Sequence, residues 1–301
     1  MAGGRTAGSL TLCRARLSRS RLPESGKDNT GSRLSYIHTE RLLYDKRMEM
    51  PKEKTAMKHK DYYNDEYISD FSRKIHDVMP DFDAGTFCDT LLGRLDDKEL
   101  FARLDFIVDA MQQSMSGDYA ANIEAFFNML GPELERPEGM FNLGWWLWPV
   151  GRYVERHGNE DFRLSLSFLK ELTKRFTGEF AVRPLLQAHP GEVMDELIRW
   201  TDDENVHVRR LASEGVRTRL PWSPKLLVAL EEFERYTILL TNLKDDPQKF
   251  VQKSVGNNLN DLYKDAPEKA DFIIAQWEST GRSRAQDWII KHGRRNQKQG
   301  N

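Results

Sequence analysis

From residue 62 to the end of the chain, apolar residues return at every third or fourth position, as in Leu100, Leu104, Ile107, Val108 and Met111. That period is helical, and no sustained strand-type alternation interrupts it. Breaks at Gly117-Asp118, Gly131-Pro132, Pro137, His189-Pro190, Pro221-Trp222 and 265–267 cut the pattern into helices of ordinary length joined by short turns. The expected class is all-α, with the helix hairpin as its unit.

The last third repeats itself. VMDELIRWTDDENVHVRRLASEGVR from Val193 has the grammar of YTILLTNLKDDPQKFVQKSVGNNLN from Tyr236: an apolar helix, an acidic turn, then a second helix. A weaker third copy runs through Phe272, Ile273, Ile274 and Trp277 into AQDWIIKHGRR from Ala285. Two-helix repeats of this length predict a right-handed α-solenoid of HEAT-like hairpins, each burying its apolar face against the next and together forming a concave groove.

A helical wheel divides the second helix of each copy. Val208, Leu211 and Ala212 share the inner face, with Arg210, Glu214 and Arg217 opposite. In the next copy Val251 and Val255 point inward, while Lys253, Asn257 and Asn260 form the outer row with Asp261 beside them; Lys291 and Arg294 continue it in the third. Stacking predicts one polar, partly basic surface for an extended partner such as DNA. The insertion TRLPWSP at 218–224 belongs on a loop of that face. There Arg217, Arg219 and Trp222 combine guanidinium forks suited to phosphate with a flat apolar ring. A plug between repeats is the competing reading for Trp222.

Composition narrows the function. No apolar stretch reaches the roughly 18–20 residues of a membrane-spanning helix. Cys13 and Cys88 stand far apart, which suits a reducing, cytoplasmic setting and excludes a disulfide framework or a zinc site of paired cysteines. The histidines do not pair at metal-ligand spacing, which argues against a zinc site, and neither a glycine-rich phosphate loop nor a GxSxG elbow occurs. Residues 1–22 carry Arg5, Arg14, Arg16, Arg19 and Arg21 before the first acid, Glu24. Three readings compete for the extension 1–56: a disordered arm on nucleic acid, an organelle transit peptide, and translated upstream sequence with a start near Met57, the last being favoured. Without it, residues 57–301 hold 33 Lys and Arg against 41 Asp and Glu. A net acidic body attracts phosphate only where its cations are gathered on one surface.

Four segments in order, GWWLWPVGRYVERHG from Gly144, TGEFAVRP, HVRRLASEGVRTRLPW and KSVGNNLND, resemble the DNA alkylation repair enzymes of the AlkC type, which are HEAT-like-repeat alkylpurine DNA glycosylases. DYYNDEYISDFSRKIHDVMPDFDAGTF extends the resemblance to roughly residues 57–288. It implies a glycosylase domain over 57–295 with a disordered tail at 296–301. The implied activity is release of a cationic methylated base, such as N3-methyladenine or a methylated cytosine, from double-stranded DNA, with no metal or redox cofactor. The family grips bent DNA with the lesion left stacked, unlike most base-processing enzymes.

On the matching motifs, Glu179, Glu214 and Asp261 take the family's acidic positions, and Arg210 and Trp222 its basic and aromatic positions beside the lesion. Carboxylates suit that chemistry. An alkylated base already carries positive charge and leaves readily, so the enzyme must mainly stabilise the sugar cation and position a water. The expected DNA contacts are Arg183, Arg209, Arg210, Arg217, Arg219, Trp222, Lys253, Asn257 and Asn258, in a chain acting as a monomer. Asn257 and Asn258 read equally well as ladder residues between hairpins. Of Trp145, Trp146 and Trp148, two are expected in the core and Trp148 toward the groove. The fold alone allows a non-catalytic scaffold, or a sensor of damaged DNA that does not cut.

Overall fold

Side-chain caps set where many of the helices begin. Asn64, Asp83, Asp161, Asn205 and Ser283 each accept a hydrogen bond from a first-turn backbone N–H, and Pro190 opens its helix at a position where no N–H is needed. The protein is seen in a computed structural model that describes residues 58–138, 140–279 and 281–297. The segment 1–56, with its arginine cluster and the start near Met57, lies outside the described residues, as does the tail from 298.

The helices are α1 (Asp65–Val78), α2 (Ala84–Leu91), α3 (Leu100–Ser114), α4 (Tyr119–Met129), α5 (Met140–Leu143), α6 (Trp148–His157), α7 (Phe162–Thr173) and α8 (Val182–Ala188). There follow α9 (Pro190–Trp200), α10 (Val206–Gly215), α11 (Val228–Glu231), α12 (Phe233–Asn242), α13 (Lys249–Asp265), α14 (Pro267–Ser279) and α15 (Arg284–Gly293). No strand occurs among the described residues, as the periodicity predicts. None of these helices is long and apolar enough to cross a membrane.

Where the sequence suggests one uninterrupted stack, the chain divides into two compact units. The first runs to Met129 and adds 141–149; the second comprises 130–140 and 150 onward. The crossing segment carries the reason. Trp145 is walled by the rings of Tyr62, Tyr63 and Tyr67 at centroid distances of 5.0, 5.5 and 5.4 Å, so it anchors 141–149 in the first unit. Tyr63 and Tyr67 donate from their hydroxyls to the carbonyls of Trp145 and Trp146 at 2.8 and 2.9 Å. These bonds satisfy the polar ends of two buried rings. In the other unit the Leu134 N–H donates to the Lys174 carbonyl at 2.9 Å, which ties 130–140 there.

The second unit is a two-layer stack of hairpins. α9, α12 and α14 pack in sequence in one layer, and α10, α13 and α15 in the other. The repeated acidic turn does the same work in both copies: Asp203 accepts from the Asn205 N–H and Asp246 from the Gln248 N–H, each at 2.8 Å. Val208, Leu211, Ala212, Val251 and Val255 are fully buried between the layers.

Candidate active site

The site lies wholly in the second unit and starts from a turn. Before α8, the Thr177 hydroxyl donates to Glu179 Oε2 at 3.0 Å while the Glu179 N–H returns a bond to Thr177 Oγ1 at 3.3 Å, which fixes the carboxylate. Each letter of the ASEG motif in α10 then has a role. Ala212 is core. Ser213 donates to Ser254 Oγ on α13 at 2.7 Å, and Ser254 donates to Glu214 Oε2 at 2.6 Å. Gly215 leaves room for α8, since a Cβ there would stand 2.6 Å from Val182 Cγ1.

The three acids are brought together through two arginines. Arg210 forms a short charge-assisted bond to Glu179 and lies 3.3 Å from Glu214. Arg217 bonds Glu214 at 2.7 Å and Asp261 at 2.9 Å. The result is one continuous chain, Glu179–Arg210–Glu214–Arg217–Asp261, drawn from the 177–179 turn, α10, the segment after it, and α13. Phe250 lies under Arg210, 5.2 Å from guanidinium carbon to ring centroid, and Lys264 approaches Asp261 at 3.7 Å.

Burial gives the chain its electrostatics, and it corrects the wheel. Glu214, Arg217, Asn260 and Asp261, expected on an outward face, are all buried, with Glu214 only 4% exposed. Neighbouring hairpins cover them, and mutual neutralisation makes the burial tolerable. The two glutamates diverge. Burial, then the charge of Glu214, pushes the Glu179 carboxyl above the usual range against the opposing pull of Arg210. For Glu214 burial pushes the same way but is outweighed by Arg210 and Arg217, which hold it below that range. Two acids separated in this way are suited to different tasks.

Beyond the acids, the loop 218–224 reaches solvent. Trp222 is 60% exposed and adopts φ of 63°, a left-handed conformation that large L-residues avoid. Exposure overturns the reading of Trp222 as a plug. Strain of this kind persists where the surroundings impose it, and it clusters at ligand-contacting segments. Arg219 grips Asp265 through two nitrogens, at 2.7 and 3.0 Å to Oδ1 and 3.1 Å to Oδ2, and Lys225 joins at 2.7 Å. Burial raises the Asp265 carboxyl, but the bonds from Arg219 and Lys225 outweigh it and set it at about 2.

Four of the expected site residues have partners within the protein. Arg183 is buried, because its guanidinium donates to the carbonyls of Gly215, Arg217 and Pro224 at 3.2, 2.7 and 2.6 Å; burial, then the charge of Arg217, draws its pKa down to about 10. Arg209 staples one acidic turn to the next, bonding the Asp203 and Glu204 carbonyls at 2.8 and 2.9 Å and Asp246 at 2.7 Å. Asn258 is a ladder residue: it donates to the Ser213 carbonyl at 2.8 Å and accepts from the Tyr236 hydroxyl at 2.9 Å. Trp148 is buried in the first unit, against Phe101 and Phe141 at 5.9 and 5.7 Å, so all three tryptophans of GWWLW are core. Lys253 is exposed on α13 and Asn257 half-buried beside it.

Sequence reasoning missed Thr177, Ser213 and Ser254, which orient the acids. The Thr-x-Glu spacing of an ST-turn was the available signal for Thr177. Only the packing of α10 on α13 shows what the two serines meet.

Known proteins resemble the chain that carries this geometry. Residues 177–295 match the family described as DNA alkylation repair enzyme. The uncharacterized protein YhaZ of Bacillus subtilis is 34% identical over 239 residues, spanning 78% of this chain and 63% of YhaZ. The Pseudomonas fluorescens alkylpurine DNA glycosylase AlkC, bound to DNA containing an abasic site analog, superposes with a TM-score of 0.69 at 30% identity, over 80% of this chain and 65% of that one. The chain thus spans just under two thirds of the length of these relatives. The matched segment holds all five members of the charged chain and the exposed tryptophan, and through it the chain is similar to the DNA alkylation repair enzyme family and to AlkC.

Proposed function

We propose that the protein is a DNA glycosylase that hydrolyses the bond between deoxyribose and a cationic alkylated base in duplex DNA, such as N3-methyladenine or a methylated cytosine, acting as a cytoplasmic monomer without a cofactor. The observation that carries this is the continuous chain of three acids and two arginines beside a strained, exposed tryptophan. An alkylated base leaves without strong acid assistance, so the rate depends on charge placed where the sugar becomes cationic. Glu214, held anionic by Arg210 and Arg217, supplies that charge together with Asp261. Glu179, whose carboxyl is raised, accepts the proton of the attacking water. Trp222 and Arg219 meet the duplex next to the lesion.

The test is release of methylated base from methylated duplex DNA by the wild type, Glu179→Gln, Glu214→Gln and Asp261→Asn. Abasic product from the wild type and a loss of at least about 100-fold in the glutamate variants are expected. Turnover unchanged in all three variants rejects the roles. A scaffold reading draws on the fact that every acid is already held by an arginine; it requires no product at any enzyme concentration.

A further inference from the structure

Glu214 is held at both of its oxygens, by different means. Oε1 takes the two arginines, Arg217 at 2.7 Å and Arg210 at 3.3 Å. Oε2 takes the Ser254 hydroxyl of α13 at 2.6 Å, and behind that hydroxyl stands Ser213 at 2.7 Å. A carboxylate bonded from one side alone can turn about its soft last torsion, whereas bonds to both oxygens from separate elements fix its plane.

Counting hydrogens gives the serine pair a direction. Each hydroxyl has one to donate, and a carboxylate anion only accepts. Ser254 must therefore aim its hydrogen at Glu214. Two hydroxyl oxygens 2.7 Å apart need a hydrogen between them, so Ser213 must aim its own at Ser254, although the Arg210 carbonyl lies within reach at 3.1 Å. With Glu214 protonated on Oε2 the pair could turn round, running from Glu214 through both serines to that carbonyl. The direction thus depends on the charge of Glu214.

Residues further from the acid keep the pair in register. Asn258 donates to the carbonyls of Ser213 and Ser254 at 2.8 and 3.0 Å, the same two residues whose hydroxyls meet, and accepts from the Tyr236 hydroxyl of α12 at 2.9 Å. Burial, then the charge of Asp261, raises the Tyr236 phenol against the pull of Arg217, so it stays a donor. Tyr236, Asn258, Ser213 and Ser254 are all buried, and water does not compete for these bonds. The charged groups around Glu214 are Arg210 on its own helix, Arg217 just beyond, Glu179 from the turn before α8, and Asp261 of α13 through Arg217. Arg183 of α8 lies in range of Glu179, Arg217 and Asp261.

We infer that Ser254 is a positioning residue for base release: backed by Ser213, Asn258 and Tyr236, it fixes the Glu214 carboxylate in one orientation through a hydrogen-bond direction that the anion sets. The inference rests on the glycosylase reading above, and Ser254 acts through Glu214 alone.

Base release from methylated duplex, followed against pH, tests this. Glu214 must be anionic to face a sugar cation, so activity is lost as pH falls through its pKa. Without the Ser254 hydroxyl that pKa rises, and the loss begins at higher pH. Ser254→Ala should slow release about 10-fold at neutral pH and move the acid limb up by about one pH unit, the worth of one hydrogen bond to a charged group, with duplex affinity unchanged. Ser254→Thr, which keeps the hydroxyl, should restore both. Ser213→Ala should give the same changes in smaller measure and serves where Ser254→Ala does not fold. Wild-type rate and limb in Ser254→Ala, or a lower melting temperature with the limb unmoved, overturns the inference. The carboxyl NMR signal that disappears in Glu214→Gln gives a readout independent of turnover, and its midpoint should rise in Ser254→Ala. A wild type that releases no base overturns the glycosylase reading; a midpoint unmoved by Ser254→Ala overturns the role of the serine whatever the wild type does.

Discussion

Trp222 concentrates the tension between stability and use in one residue. A left-handed backbone costs a bulky L-residue about 1–2 kcal/mol, and an indole that is 60% exposed recovers little of that by burial. Trp222→Gly should therefore raise stability by about 1 kcal/mol in urea unfolding. Duplex affinity should fall by about 1–3 kcal/mol, the worth of a base stacked on an aromatic ring; stability and affinity that both stay unchanged would remove Trp222 from the interface. Asp265 offers a test by pH. Its carboxyl drops from an ordinary value near 3.8 to about 2 in the folded chain. The stability it contributes with Arg219 and Lys225 is fully present above about pH 4 and is lost as pH falls toward 2. Melting of Asp265→Asn should lie below wild type at neutral pH and converge with it near pH 2; a constant gap between the curves contradicts this origin. At this scale the sequence placed Glu179, Arg210, Glu214, Arg217 and Asp261 together through their motifs. It could not show that they are buried, because a wheel sees one helix and not the hairpin that covers it.

At the scale of elements, the hairpin grammar was readable because each copy repeats a capping device: the acidic turn at Asp203 and Asp246 satisfies the N–H groups that open α10 and α13. Short α8 and α11 left no comparable trace, since a single turn or two fixes no apolar period. The internal partners of Arg183 and Arg209 were not legible for a related reason. Their partners are backbone carbonyls and turns of other segments, which local spacing does not encode. The contact of α13 with α15 has its own signature in Gly256 and Gly293. Gly256→Ala adds a methyl against His292 and the Ile289 carbonyl, 3.2 Å away, so the helices must separate. A loss of about 1–3 kcal/mol is expected, the usual cost of overpacking, read as a lower urea midpoint at unchanged m-value. A variant as stable as wild type would show that the helices yield freely there.

For the whole molecule, the all-helical class and the repeat family were both legible, the first from period and the second from four ordered motifs. The division into two units was not. It depends on Trp145 joining the tyrosines of one unit while residues 130–140 are drawn into the other, a choice made by long-range packing. Charge shows a similar gap between average and arrangement: residues 57–301 are net acidic, but Glu179, Glu214, Asp246 and Asp261 of the second unit are each paired with an arginine. Total charge therefore says little about where on the chain a polyanion could be met.

The grip of Arg183 on the carbonyls of Gly215, Arg217 and Pro224 has a consequence for how the loop tolerates change. Both ends of the loop are clasped from inside the protein, so the residues at its crest can be exchanged like the bit of a tool while the handle stays fixed. Substitutions at the crest around Trp222 can thus change what the loop presents to solvent while the carboxylates behind it keep their places.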